Sequence, residues 1–325
     1  MERGWMSGKA DPPGMLTFGV NFSVFSLNLP AMQYFRYGGI LICLLVVCCF
    51  NTVSDNPFHY PSPLPDTAAL RFLPGMVSAD SLDFNSAFTR DGNTFYFGRT
   101  INRRWQILQC TWEGDRWSKP APAPFTEPQY SQADPFVTKD GRIFFISTRP
   151  RDVQDTSRDY DIWFVRPLGN GKWSAPENVT AVNSDSTEYF VSLADNGNMY
   201  FSSYRKGGYG DDDLYVSRLV NGKYTTPENL GPAVNSAAME HDPCISGDEK
   251  LLLFTAVDRP GGYGSADIFY TRRGKDGKWL PAQNAGGRVN TPTYEYCSYL
   301  TPDGRYYFFS SEEDVKWIST KGLFE

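Results

Sequence analysis

The chain has only two histidines, His59 and His241, in 325 residues. It contains no C-x-x-C pair and no grouping of cysteine with histidine, which excludes the common zinc frameworks. Nothing in it calls for a cofactor. It also lacks any cluster of Lys and Arg: the net charge is −6 and the isoelectric point about 5.1. Nucleic acid is held by grouped cations, so it is excluded as a partner. No serine stands in a G-x-S-x-G elbow, which removes acyl-transfer hydrolases of that type. A bilayer-spanning helix needs about 20 apolar residues. The single long apolar run, "YGGILICLLVVCCF" from Tyr37 to Phe50, is shorter than that.

That run suits the hydrophobic region of a secretory signal, with Arg36 as the preceding positive charge. Translation is therefore expected to start at Met32, leaving residues 1–31 as an extension outside the true protein and 32–50 as the signal. The alternative is an uncleaved membrane anchor. Cys48 or Cys49 is a candidate lipidated cysteine, although Val47 or Cys48 stands where a small residue would precede it. The following "NTVSDNPFHYPSPLPDTA", residues 51–68, is polar and Pro-rich as a tether would be, with His59 read as an unstructured bystander. The expected location is the periplasm or cell envelope, with a lipid anchor if either cysteine is modified.

What the chain does have is aromatic residues (15%), 29 glycines and 23 prolines, a balance suited to short strands and tight turns. Aligned on itself, the body yields five copies of one unit. Each opens on a strand ending in a turn: "SAFTRDG", "PFVTKDG", "FVSLADNG", "PCISGDE" and "SYLTPDG". An aromatic strand, a loop, a third strand and a fourth segment such as "NGKWSAPENV" follow. The period is about fifty residues, the size of a four-stranded propeller blade. The fifth unit stops at "ISTKGLFE", before its fourth strand, while "LRFLPGMVSADSLDF" near the start matches the missing piece. An all-β, five-bladed propeller over residues 69–325 is expected, its last blade completed by an N-terminal strand, so that no sheet edge stays open. A ring closed in this way is expected to be monomeric.

The units "SLADNGNMYFSSYRKGGYGDDDLYV" and "TPDGRYYFFSS", with the recurring "GKW…PEN", resemble the WD40-like repeats of TolB-type propellers over nearly all of residues 70–325. The resemblance implies an exported bacterial envelope protein. TolB-type chains have six blades and an extra N-terminal domain, so it implies fold and compartment more than a Tol partnership.

Repetition separates architecture from candidate sites. Asp91-Gly92, Asp140-Gly141 and Asp303-Gly304 mark hairpins that need positive φ. Trp117, Trp173, Tyr224 and Trp279 recur at one position of the expected fourth strand and are expected to pack between blades. Asp161, Asp213, Asp267 and Asp314 each open a third strand and are expected to tie a loop. Asp211 and Asp212 are unrepeated; calcium would need six or more oxygens, so no metal site is assigned. The "GGYG" of 207–210 precedes no helix and is not a phosphate loop.

Five residues stand just before the first strands: Asp83, Gln132, Glu188, Glu240 and Glu295, expected as a ring near the channel mouth. Around them the spacing places Arg205, Arg259, Tyr209 and Tyr263, with His241 as a packing or ligand-contact residue. Two functions compete. One is a binding or scaffold propeller contacting an envelope protein or glycan through its loop face, whether alone or as a structural subunit. The other is a glycosidase or lyase using the ring carboxylates, since glycoside cleavage needs two carboxyl groups in different roles. The ring keeps the repeat symmetry except at Gln132, which favours binding, with the ring carboxylates holding loop amides.

Overall fold

The computed structural model describes residues 56–325; the start site, the signal-like run and the lipidation cysteines lie outside them. Five four-stranded antiparallel sheets and two small two-stranded ribbons make up the regular structure of the described segment, with no α-helix among these residues. From the innermost strand outward, blade I is Asp83–Phe88, Thr94–Ile101, Arg104–Thr111 and Ala121–Pro122. Blade II is Gln132–Val137, Ile143–Ser147, Asp161–Val165 and Glu177–Asn178. Blade III is Glu188–Leu193, Met199–Ser203, Asp213–Ser217 and Glu228–Asn229. Blade IV is Met239–Ile245, Leu251–Val257, Ala266–Arg272 and Gln283–Asn284. Blade V is Tyr296–Leu300, Tyr306–Ser311 and Asp314–Ser319, and its outermost strand is Leu70–Arg71. Leu70 pairs with Trp317 and Arg71 with Lys316, so the N-terminal strand closes the ring as expected.

The second strands are apolar on both faces because each blade is covered by a neighbour on either side. Five buried clusters result, one at each joint between blades. Phe72, Phe88, Phe95 and Phe308 fill the V–I joint. Phe125, Phe145 and Trp163 fill I–II, and Phe144, Ile162 and Phe201 fill II–III. Tyr200, Leu214 and Phe254 occupy III–IV, and Leu253, Tyr307 and Phe309 occupy IV–V.

Two expectations are corrected. The recurring Trp117, Trp173, Tyr224 and Trp279 are not on the outermost strands, which are the short "EN"-type pairs that follow them. Trp173 and Tyr224 sit in separate two-stranded ribbons, Pro167–Gly169 with Lys172–Trp173 and Leu219–Val220 with Lys223–Tyr224. Trp117 and Trp279 form bridges to Trp112 and Arg273. Each ribbon folds its ring back over the joint with the preceding blade: Trp173 lies edge-on to Phe125 of blade I at 5.3 Å. The packing role therefore holds although the strand assignment does not.

The second correction concerns residues 56–60, which are not a tether. Phe58 is buried in the V–I cluster, edge-on to Phe88 at 5.6 Å. Tyr60 donates its hydroxyl to Asp303 of blade V (3.0 Å), and His59, far from unstructured, stacks on Trp112 of blade I at 4.3 Å. Gly92 has φ of 68°, and a side chain there would collide with the Pro57 carbonyl. The segment is a strap across the same joint that Leu70–Arg71 closes, at the end opposite the mouth.

Candidate functional site

The ring expected at the mouth is present but turned inward. Asp83, Gln132, Glu188, Glu240 and Glu295 all have zero residual exposure. Each carboxylate accepts the backbone N–H four residues before it: Ala79 to Asp83 at 3.0 Å, Ser184 to Glu188 at 2.9 Å, Ser236 to Glu240 at 2.8 Å and Thr291 to Glu295 at 2.9 Å. Gln132 instead donates its amide to the Glu127 carbonyl at 2.7 Å. Arg99, Arg205 and Arg259 pair with Asp83, Glu188 and Glu240 at 2.5, 3.0 and 3.2 Å. Burial pushes the pKa values of Asp83, Glu188 and Glu240 up, against the hydrogen bonds and guanidinium groups that favour the charged forms.

The ring is therefore a set of loop clamps. Arg205 also donates to the Val182 carbonyl and Arg259 to that of Val234, both at 2.6 Å. Their guanidinium groups lie over Tyr215 and Phe269 at 4.9 and 5.1 Å, so both are engaged within their own blades. Tyr209 and Tyr263 are 52% and 55% exposed on their loops and do not line the central cavity. Asp213 and Asp267 accept the amides of Tyr209 (2.5 Å) and Tyr263 (2.9 Å), the loop-tying role expected of them.

The opening at the axis belongs to other residues. Every innermost strand carries a bulge, and in each the residue two beyond the ring position has positive φ: Asn85 (60°), Asp134 (54°), Phe190 (41°), Asp242 (55°) and Cys297 (55°). Non-glycine residues adopt this region rarely, and a bulge re-aims the side chain it carries. The five residues form a belt in which contacts run from blade to blade. Cys297 donates its N–H to Asp242 of blade IV at 2.9 Å, and Asp134 of blade II lies against the Phe190 N–H and the Asn85 amide.

A cavity of about 270 Å³ lies over this belt, built by all five blades. Its walls carry Phe84, Trp105, Tyr189, Tyr204, Tyr294 and Tyr296. Its polar groups are Asp134, Asp212, Asp242 and His241. His241 is the one sequence-predicted site residue that lines it. Its Nδ1 is 3.1 Å from Asp242 Oδ1, and its Nε2 is 2.9 Å from the Tyr294 hydroxyl. Burial disfavours the imidazolium, but Asp242 first, then Asp212 and Asp134, outweigh it and raise the His241 pKa. Burial holds the Asp134 and Asp212 carboxyls well above the usual range.

Strand register shows that Trp105, Tyr160, Asp212, Ala266 and Glu313 occupy one repeated position at the start of the third strands. The cavity thus breaks the repeat symmetry where the ring preserves it. Asp134, Asp242, Trp105, Tyr204, Tyr294 and Tyr296 were not among the sequence candidates. The signal that marks the belt is variation: the position two beyond a near-uniform acidic ring reads Asn, Asp, Phe, Asp, Cys.

No family model and no curated protein matches the chain. Its fold is similar to that of the protein BT0996 in an RGII complex, at 11% identity over 79% of this chain and 91% of that one, TM-score 0.53. It is also similar to a TolB-type protein of Agrobacterium tumefaciens (17% identity, 72% and 74% covered, TM-score 0.44). A thermostable family-43 glycoside hydrolase gives 10% identity, 80% and 91% covered, TM-score 0.46. At these identities the likeness is one of fold alone.

Proposed function

We propose that this protein is an exported bacterial-envelope propeller that binds a small ligand, or the end of a larger glycan, in its axial cavity. The carrying observation is the asymmetric cavity over a symmetric scaffold. Six aromatic side chains and four ionisable ones converge there from five blades, while the repeated ring is spent on loop clamps. Ligand sites are concave and largely apolar, with a few polar groups, and commonly measure about 300–1,000 Å³. At about 270 Å³ this cavity falls just below that range, fitting one ring-sized unit. Aromatic faces and hydroxyls suit a sugar ring. The signal-like run Tyr37–Phe50 supports export, and lipidation at Cys48 or Cys49 would tether the protein to a membrane.

A second reading is a glycan-active enzyme. It is favoured by one observation: burial raises the pKa of Asp212, whereas Asp242 is paired with His241. Carboxyls in such different settings are what an acid–base pair requires. A saturation-transfer NMR screen of monosaccharides and envelope and plant polysaccharide fragments tests both readings, with turnover followed by reducing-end release. Binding lost on Trp105→Ala, with no product formed, supports the first. Turnover abolished by Asp212→Asn or Asp242→Asn replaces it with the second. Binding indifferent to cavity substitutions but lost on Tyr209→Ala or Tyr263→Ala moves the function to the loop face.

A further inference from the structure

The cavity contains three carboxyl groups and one ionisable base. His241 is committed to Asp242, and among the described residues no Lys or Arg lines the space. Asp212 is the informative member. It is 1% exposed, it lines the cavity, and its Oδ1 has no hydrogen-bond partner. A buried carboxyl oxygen left unpaired is costly, so such a group calls for an explanation beyond packing. The fold does not require it: the equivalent positions carry Trp105, Tyr160, Ala266 and Glu313. Nor does the bulge require an acid at Asp134, since the same position holds Asn85, Phe190 and Cys297 in other blades.

The walls around these carboxyls include Trp105, Tyr189, Tyr204 and Tyr294. Aromatic faces attract cations, and most strongly where water is excluded. A divalent metal is a poor match, because calcium takes six or more oxygens and magnesium retains a shell of water. An ammonium group is the better match, being satisfied by two or three acceptors and by ring faces together.

We propose that the cavity selects ligands bearing an ammonium group, which Asp212 and Asp134 hold while the aromatic walls enclose it. This rests on the reading of the cavity as a ligand site. The shared chemistry has two sources, the amine of an amino sugar and the head of a small alkylammonium compound. Glucosamine and choline represent them, and N-acetylglucosamine and glucose are the uncharged counterparts.

Isothermal titration of the purified full propeller with these four probes is the test. Glucosamine or choline should bind, and each should bind about tenfold or more tightly than N-acetylglucosamine and glucose. Asp212→Asn should remove most of that preference, with circular dichroism and melting temperature confirming the fold; Asp134→Asn provides a second, independent variant. The stronger of the two amines identifies the source. If N-acetylglucosamine or glucose binds as well as glucosamine, the charge proposal fails while the ligand-site reading stands. If no probe binds, or Asp212→Asn leaves the amine preference intact, the proposal is overturned as well. A cavity that also takes no ligand in the wider glycan screen removes the underlying reading.

Discussion

The ring of Asp83, Gln132, Glu188, Glu240 and Glu295 and the belt of Asn85, Asp134, Phe190, Asp242 and Cys297 stand two residues apart in every blade. The ring is nearly uniform and fully buried, and its four carboxylates are saturated with partners, as with Glu188 between Ser184, Ser203 and Arg205. The belt has one backbone conformation in all five blades but five side chains of four chemistries. A conformation repeated five times is part of how the blades are made. Side chains that differ at that repeated conformation are free to serve a site, and in this fold they converge on the axis.

The largest test of that contrast is Glu188→Ala. Removing one partner of a buried ion pair leaves Arg205 uncompensated and should cost about 3–5 kcal/mol in urea unfolding. Cavity ligands should still bind the folded fraction normally. A loss below about 1 kcal/mol would show that the ring is not the clamp described. Next in size, Trp105→Ala should weaken cavity binding of the folded protein by about 2 kcal/mol, roughly thirtyfold in Kd, and should also lower the unfolding midpoint, since Trp105 stacks on Tyr160 and meets Phe84 edge-on.

The pH dependence of stability sharpens the comparison further. Asp134, Asp212 and His241 all hold their protons to higher pH folded than unfolded. For the two carboxyls the folded chain binds more protons above the unfolded value of about 4, so stability falls as pH rises from there. The His241 contribution is fully present below about 6.5 and is lost as pH passes its raised folded value. Glu249 and Glu312, held below the usual carboxylate range, act only at lower pH. Unfolding free energies measured from pH 5 to 8 should therefore decline, and Asp212→Asn should flatten the decline. At neutral pH that substitution should leave stability unchanged or raise it by up to about 1 kcal/mol, since the unpaired Oδ1 makes no contact to lose. The smallest effects belong to Tyr209→Ala and Tyr263→Ala, within about 0.5 kcal/mol in stability and without effect on cavity ligands.

Much of the ring was legible because its signals are local. A Ser or Thr four residues before Glu188, Glu240 and Glu295 supplies the amide that each carboxylate accepts. The belt was not legible because strand alternation predicts which face a residue occupies only while the pairing register holds. A bulge of one residue overturns that parity, and although Asn85, Asp134 and Asp242 tolerate positive φ better than most residues, Phe190 and Cys297 at the same position do not announce it. The strap was misread for a similar reason. A Pro-rich stretch looks like a tether, but Asn56 and Tyr60 find their partner at Asp303, some 240 residues along the chain.

Repetition in the amino-acid sequence determined the number of blades, the unfinished fifth unit and the N-terminal strand that completes it, because each follows from short-range pattern counted five times. It also marked Asp161, Asp213, Asp267 and Asp314 as loop ties, because an identical residue in several blades meets an identical neighbourhood, whereas Arg205 and Arg259 looked like site residues until the structure showed their partners. Tertiary structure alone decided which side chains face one another across the axis. That convergence joins Trp105 of blade I, Asp134 of blade II, Asp212 of blade III, His241 of blade IV and Tyr294 of blade V. These residues lie far apart in sequence, and only closure of the ring, with a bulge turning each inner strand toward its centre, puts them around one cavity.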